Sequence, residues 1–147
     1  MHYIASFCLA AVLCFTGGFL SCRNTAAANL QPELVTCDSA VVLFYKEPGN
    51  PRFFKRVKLY DKASLQLIAA DVNGKLIKGK ESCVTRGKIY YYGKGDAVYV
   101  VYFSGEENCQ TLSFIKTAEK YFTKMSAPVK QLLDKLSAEA TEPVANQ

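Results

Sequence analysis

The sequence predicts an α+β domain: a mostly antiparallel sheet with a four-stranded meander at about residues 85–125 and a C-terminal helix packed on it. Three observations lead there. Lys88-Ile-Tyr-Tyr-Tyr92, Ala97-Val-Tyr-Val-Val-Tyr-Phe103 and Cys109-Gln-Thr-Leu-Ser-Phe-Ile115 are rich in residues that suit a pleated sheet, and Gly93-Lys-Gly-Asp96 and Ser104-Gly-Glu-Glu-Asn108 break them into hairpins. The run over 97–103 has no polar face, which places it inside the sheet with its central ribbon buried on both sides. Val129, Leu132, Leu133 and Leu136 recur at helical spacing and form one apolar stripe.

Residues 3–22 carry no Lys, Arg, Asp or Glu, and residues 4–15 form an apolar run of secretory-signal length. The run is short for a retained bilayer helix, which needs about 20 apolar residues, and Gly17-Gly18 weakens it as a helix. Two cleavage sites are open. Phe19-Leu20-Ser21-Cys22 puts small and apolar residues before a cysteine, and the apolar run leads straight into it; Ala26-Ala27-Ala28 fits the small-x-small rule. Cleavage at the first makes residues 1–21 a signal peptide, Cys22 a lipidation site and residues 22–36 a tether. Phe19-Leu20-Ser21-Cys22 resembles a bacterial lipobox, and through it the chain resembles small lipoproteins of bacterial envelopes. That resemblance implies a membrane anchor facing the periplasm or cell surface. It implies no particular activity.

The rest is read as a single domain over residues 37–137. Residues 39–45 and 53–60 are β-type runs joined by the turn-rich Glu47-Pro-Gly-Asn-Pro51, a first hairpin. In the second run Phe53, Lys55, Val57 and Leu59 share one face, and Arg56 and Lys58 the other. Asp61 caps a helix carrying Leu65, Ile68 and Val72 that ends at Asn73-Gly74; a strand hairpin turning at Asn73-Gly74 is the competing reading of 62–78. Residues 75–81 form a polar connection to the meander. There Tyr92 is expected opposite Ala97, Tyr102 opposite Gly87, and Ser104 opposite Cys109. Ser126 caps the last helix, with Pro128 tolerated in its first turn. Residues 138–147 lack periodicity and large apolar side chains, which predicts a disordered tail.

Of the six cysteines, Cys8 and Cys14 leave with the signal, and lipidation uses Cys22. Cys37, Cys83 and Cys109 remain in an oxidising compartment, and the register places Cys83 and Cys109 at one end of the sheet, so Cys83–Cys109 is the preferred disulfide. Cys37 with Cys83 is the rival pairing.

Composition narrows the chemistry. The 147-residue chain has 18 Lys and Arg against 13 Asp and Glu, a net charge of +5 that suits an anionic partner but falls short of a nucleic-acid footprint. The single histidine, His2, lies in the leader, so the exported domain has no imidazole for a triad or a His-ligated metal. Asp96 and Glu106 or Glu107, the acids near the meander, are expected in turns at opposite ends of one strand, too far apart to act as a pair. Gly93-Lys-Gly-Asp96 lacks the spacing and following helix of a phosphate loop. The expectation is a non-catalytic envelope protein without a cofactor. It would bind a partner or an anionic ligand through a tyrosine-rich sheet face (Tyr90, Tyr92, Tyr102) or a basic edge (Arg52, Lys55, Arg56, Lys58). An envelope enzyme using carboxylate, tyrosine or thiol chemistry, and an accessory subunit of an envelope complex, are the alternatives.

Overall fold

The computed structural model describes residues 27–144, so the leader, Cys22 and the last three residues lie outside the described chain. Strands β1 (Ser39–Glu47) and β2 (Asn50–Leu59) form the first hairpin, followed by helix α1 (Lys62–Val72) and a two-residue strand β3 (Leu76–Ile77). Strands β4 (Gly87–Tyr92), β5 (Val98–Ser104), β6 (Thr111–Lys116) and β7 (Glu119–Lys124) are the meander, and helix α2 (Ala127–Glu139) closes the domain. The strands form one antiparallel sheet in the order β2-β1-β4-β5-β6-β7-β3. The fold is α+β, with both helices on one face of that sheet.

The helix starts follow from their caps. Asp61 accepts hydrogen bonds from the Ser64 N–H at 2.9 Å and the Ser64 hydroxyl at 2.6 Å, satisfying a first-turn donor of α1. The Ser126 hydroxyl accepts from the Val129 N–H at 3.4 Å, and its own N–H donates to Asp71 at 2.7 Å, which ties the start of α2 to the end of α1. The predicted apolar stripes face inward. Leu65, Ile68, Ala69 and Val72 from α1 and Val129, Leu133 and Leu136 from α2 meet Ala40, Val42, Ile89, Tyr91, Val101, Phe103, Leu112 and Phe114 from the sheet. Tyr91 is fully buried, and its hydroxyl donates to the Leu65 carbonyl at 3.1 Å. Asn73-Gly74 ends α1 as a cap; the hairpin reading of 62–78 does not apply.

Both proposed domain limits move outward. Residues 28–36, read as part of a tether, pack onto the domain. The N–H groups of Ala28 and Asn29 donate to the Gly74 and Asn73 carbonyls, and a short 3-10 helix, Pro32–Thr36, buries Leu34 against α1. The buried Asn73 amide holds this segment, accepting from the Gln31 N–H at 2.7 Å and donating to the Gln31 carbonyl at 2.8 Å. At the other end α2 runs on to Glu139, Ala140 is buried, and Thr141 exchanges two backbone hydrogen bonds with Arg56, so residues 138–141 are not tail.

Three expected pairings are also corrected. Tyr92 pairs with Val98 rather than Ala97, and Tyr102 with Lys88 rather than Gly87, a slip of one residue. The cause is the turn: Gly93 bonds Ala97, and residues 94–96 close the hairpin with Gly95 and Asp96 at positive φ. Ser104 pairs with Thr111 rather than Cys109, leaving Cys109 in the connecting loop. The central ribbon is covered on one side only. Val101 and Phe103 are buried under the helices, but Val98 on the other face is 50% exposed, and Val100 and Tyr102 are half-buried.

Candidate functional site

The face of the sheet away from the helices carries no helix among the described residues; Leu43, Ser113 and Phe122 on it are buried, while Tyr92, Val98 and Ile115 are exposed. Strand alternation and the pairings assign its members. Val41, Leu43 and Tyr45 come from β1, Phe54, Arg56 and Lys58 from β2, and Lys88, Tyr90 and Tyr92 from β4. Val98, Val100 and Tyr102 come from β5, Ser113 and Ile115 from β6, and Lys120, Phe122 and Lys124 from β7. Three predicted site residues, Tyr90, Tyr92 and Tyr102, therefore do share one surface. Away from the Glu47 turn the strands place no carboxylate on it.

The predicted basic edge divides. Arg56 and Lys58 stand on the open face opposite Leu43 and Val41, and Arg52 shares their alternation near the β1–β2 turn, whereas Lys55 lies opposite Phe44 on the helix side. All four are exposed. The charges set among the tyrosines are instead Lys88 and Lys120. The Lys88 ammonium lies 4.8 Å from the centre of the Tyr90 ring, and that of Lys120 lies 5.1 Å from Phe122 and 5.9 Å from Tyr102. Contact with the Tyr90 phenol holds the Lys88 ammonium above its ordinary pKa, so it stays charged, while burial raises the Tyr45 phenol. Lys88 alternates in phase with Tyr90 and Tyr92, and Lys120 with Phe122, a signal present in the sequence once the strand bounds are known.

The open face is hollow. One cavity of about 320 Å³ is lined by Val98, Tyr99, Val100, Tyr102, Ile115 and Gln31; a second of about 210 Å³ is lined by Tyr45, Tyr102, Ile115, Lys120 and the turn residues Gly49, Pro51 and Thr85. They share Tyr102 and Ile115 as walls, so they lie side by side along β5 and β6 as the two parts of a trough.

Its floor coincides with a break in the sheet. Strands β4 and β5 pair over their whole common length, from Gly87 with Phe103 to Tyr92 with Val98, but β5 and β6 pair only at Tyr102, Phe103 and Ser104. Beyond Tyr102 the two strands part. Lys116, at the parted end, donates from its ammonium to the Leu30 carbonyl, and the β6–β7 turn there holds Thr117 at φ 49° and Ala118 at φ 65°, costly conformations for residues with a side chain.

The Cys83–Cys109 disulfide forms as expected and joins the loop before β4 to the loop between β5 and β6, with Cα atoms 5.5 Å apart. Cys37 is a free, buried thiol whose pKa is raised by burial and by Asp38 and Glu33, so it stays protonated at neutral pH. Asp96 lies in the turn before β5 and Glu106 in the loop after it, opposite ends of that strand. Glu106 instead approaches Arg86 at 4.0 Å. Cys22 lies outside the described residues. No protein-family model, no curated protein and no solved structure matches this chain.

Proposed function

We propose that this chain is a non-catalytic, exported protein of the cell envelope, anchored through lipidated Cys22, that binds an acidic polypeptide partner in the trough of its open sheet face. One observation carries the reading: a concave surface of tyrosine, valine and isoleucine side chains is interleaved with ammonium groups, and away from the Glu47 turn its strands place no carboxylate among them. Rings supply contact area at low entropy cost, and unopposed ammonium groups steer an anionic partner and fix its register. The leader supports export, with intact mass as its check: an acylated chain beginning at Cys22 is expected, and retention of residues 1–21 refutes the anchor.

The binding reading is tested with fluorescent polyglutamate at low and high salt. Lys88→Glu with Lys120→Glu is compared with Lys62→Glu with Lys135→Glu, which alters net charge equally but on the helices. The face pair should weaken binding at least about tenfold, on the order of 1.4 kcal/mol, and the helix pair less than about threefold. Equal losses would mean that only net charge matters and would refute the site.

A further inference from the structure

The geometry points to the gap between β5 and β6 as a site for the backbone of an extended peptide, which completes the broken ladder by adding a strand. In an antiparallel ladder both polar groups of one residue point to the same neighbour, and successive residues alternate. The Phe103 carbonyl accepts from Arg86 on the β4 side, so Phe103, Val101 and Tyr99 address β4, while Val98, Val100 and Tyr102 address β6. On β6, the Gln110 carbonyl accepts from Met125 on the β7 side, so Ser113 and Ile115 address β5. Pairing stops at Tyr102 with Ser113. The N–H and C=O groups of Val98, Val100 and Ile115 therefore face the gap with no partner in the ladder.

A backbone donor or acceptor is expected to find a partner, and free strand edges are usually blunted. The outer edge of β2 is blunted here by Pro51 and by the Thr141 bridge. The internal edges are flanked by Val98, Val100 and Ile115, which are apolar and offer no guard. The cavity at the gap, about 320 Å³, is at the lower end of ligand-pocket sizes, and its continuation past Tyr102 and Ile115 to Lys120 leaves room for side chains. Main-chain bonds on alternate residues with side-chain pockets between them is the pattern of recognition by strand addition. An acidic residue of the peptide would reach Lys120, which is how this site extends the proposed binding of an acidic partner. The two ideas separate experimentally, because backbone groups carry one and ammonium groups the other.

The full-length protein, labelled with ¹⁵N, is titrated with acetyl-Glu-Val-Thr-Val-Glu-amide and with the same peptide N-methylated at its central residue. Shifts and slowed hydrogen exchange at Val98, Val100 and Ile115 are expected with the first peptide, and binding at least tenfold weaker with the second. Val100→Pro, which deletes a central donor, should abolish the shifts; if that variant does not fold, the methylated peptide provides the same comparison. Equal binding of the two peptides, or no shift at those amides at millimolar peptide, overturns the inference. So does a response of the same amides to dodecylphosphocholine micelles but not to peptide, which would make the gap an acyl-chain slot. If polyglutamate binding depends on Lys88 and Lys120 while the peptide shifts are absent, the acidic-partner reading survives and the strand site falls. Peptide shifts without that dependence leave the strand site standing and remove the acidic partner.

Discussion

Gly87→Ala tests the packing on which the open face rests. Gly87 sits in β4 between Phe44 of β1 and Phe103 of β5, whose rings meet edge-on with centroids 5.5 Å apart. A methyl added there would lie 2.1 Å from the Leu43 carbonyl oxygen and 2.3 Å from Phe103 Cζ, where ordinary contacts need roughly 3.4 Å or more. The ring can swing away, but the carbonyl belongs to the neighbouring strand and can move only if β1 shifts. Overpacking alone costs about 1–3 kcal/mol, and each ladder hydrogen bond lost adds roughly 1 kcal/mol, so the substitution should destabilise by about 3–5 kcal/mol. With a urea m-value of about 1.5 kcal/mol/M the midpoint falls by about 2–3 M. Gly105→Ala is the control, since nothing lies within 4 Å of its added methyl, and should change stability by less than about 0.5 kcal/mol. Combining Gly87→Ala with Phe103→Leu should recover only the ring's share, a coupling of about 1 kcal/mol in a double-mutant cycle. A loss below about 1 kcal/mol for Gly87→Ala would refute the close approach of β1 and β4.

Replacing Cys83 and Cys109 by serine opens a loop with a sequence separation of 26, and chain entropy puts the loss at about 3.5 kcal/mol by chemical denaturation; a loss under about 1 kcal/mol would mean the bond constrains little. Asn73→Ala removes the amide that holds Gln31 and should raise hydrogen exchange at residues 28–31 by at least about tenfold, leaving the amides of β4 unchanged. Ala118→Gly relieves one positive-φ residue in the β6–β7 turn and should raise stability by about 1 kcal/mol in the same assay; a loss would show the turn unstrained. Burial raises the pKa of both Cys37 and Tyr91 in the folded protein. Their contribution to stability is complete below the unfolded values, roughly 8.5 for a thiol and 10 for a phenol, and is lost as pH climbs through the folded values. Stability should therefore fall from about pH 8.5 upward, with Cys37→Ala flattening the first part of that slope and Tyr91→Phe the later part.

The meander, the first hairpin, both helix caps and the disulfide were legible because each rests on local chemistry: β-branched and aromatic runs, turn residues, Asp61 and Ser126 as caps, and two cysteines flanking consecutive strands. What was not legible depends on tertiary contacts. The Tyr92 register hinged on whether Ala97 closes the turn or begins the strand, and the Gly93 to Ala97 hydrogen bond decides it. Residues 28–36 read as a polar tether because Leu34 is an isolated apolar residue, and only α1 and Asn73 make it part of the core. The tyrosine face was named from its residues, but the expected register, with Tyr92 opposite Ala97, puts Tyr102 on the other side of the sheet; the one-residue slip is what sets Tyr102 beside Tyr90 and Tyr92. The concavity of that face was not legible, since it depends on β5 and β6 diverging while both continue as strands.

That divergence runs against what the side chains favour. Continued pairing would set Val100 opposite Ile115, a β-branched pair of the kind that stabilises sheets by roughly 0.2–1 kcal/mol, and would satisfy the backbone groups between them. The fold instead gives up those bonds and uses Lys116 to hold Leu30 at the parted end. No packing gain on the open face offsets this, since Val98 and Ile115 stay 50% and 57% exposed. Such concentrated local cost is characteristic of a binding site rather than of a structural core. The same gap supplies both the unpaired backbone and the hollow, so a ligand that closed the ladder would recover in binding what the free fold leaves unmade.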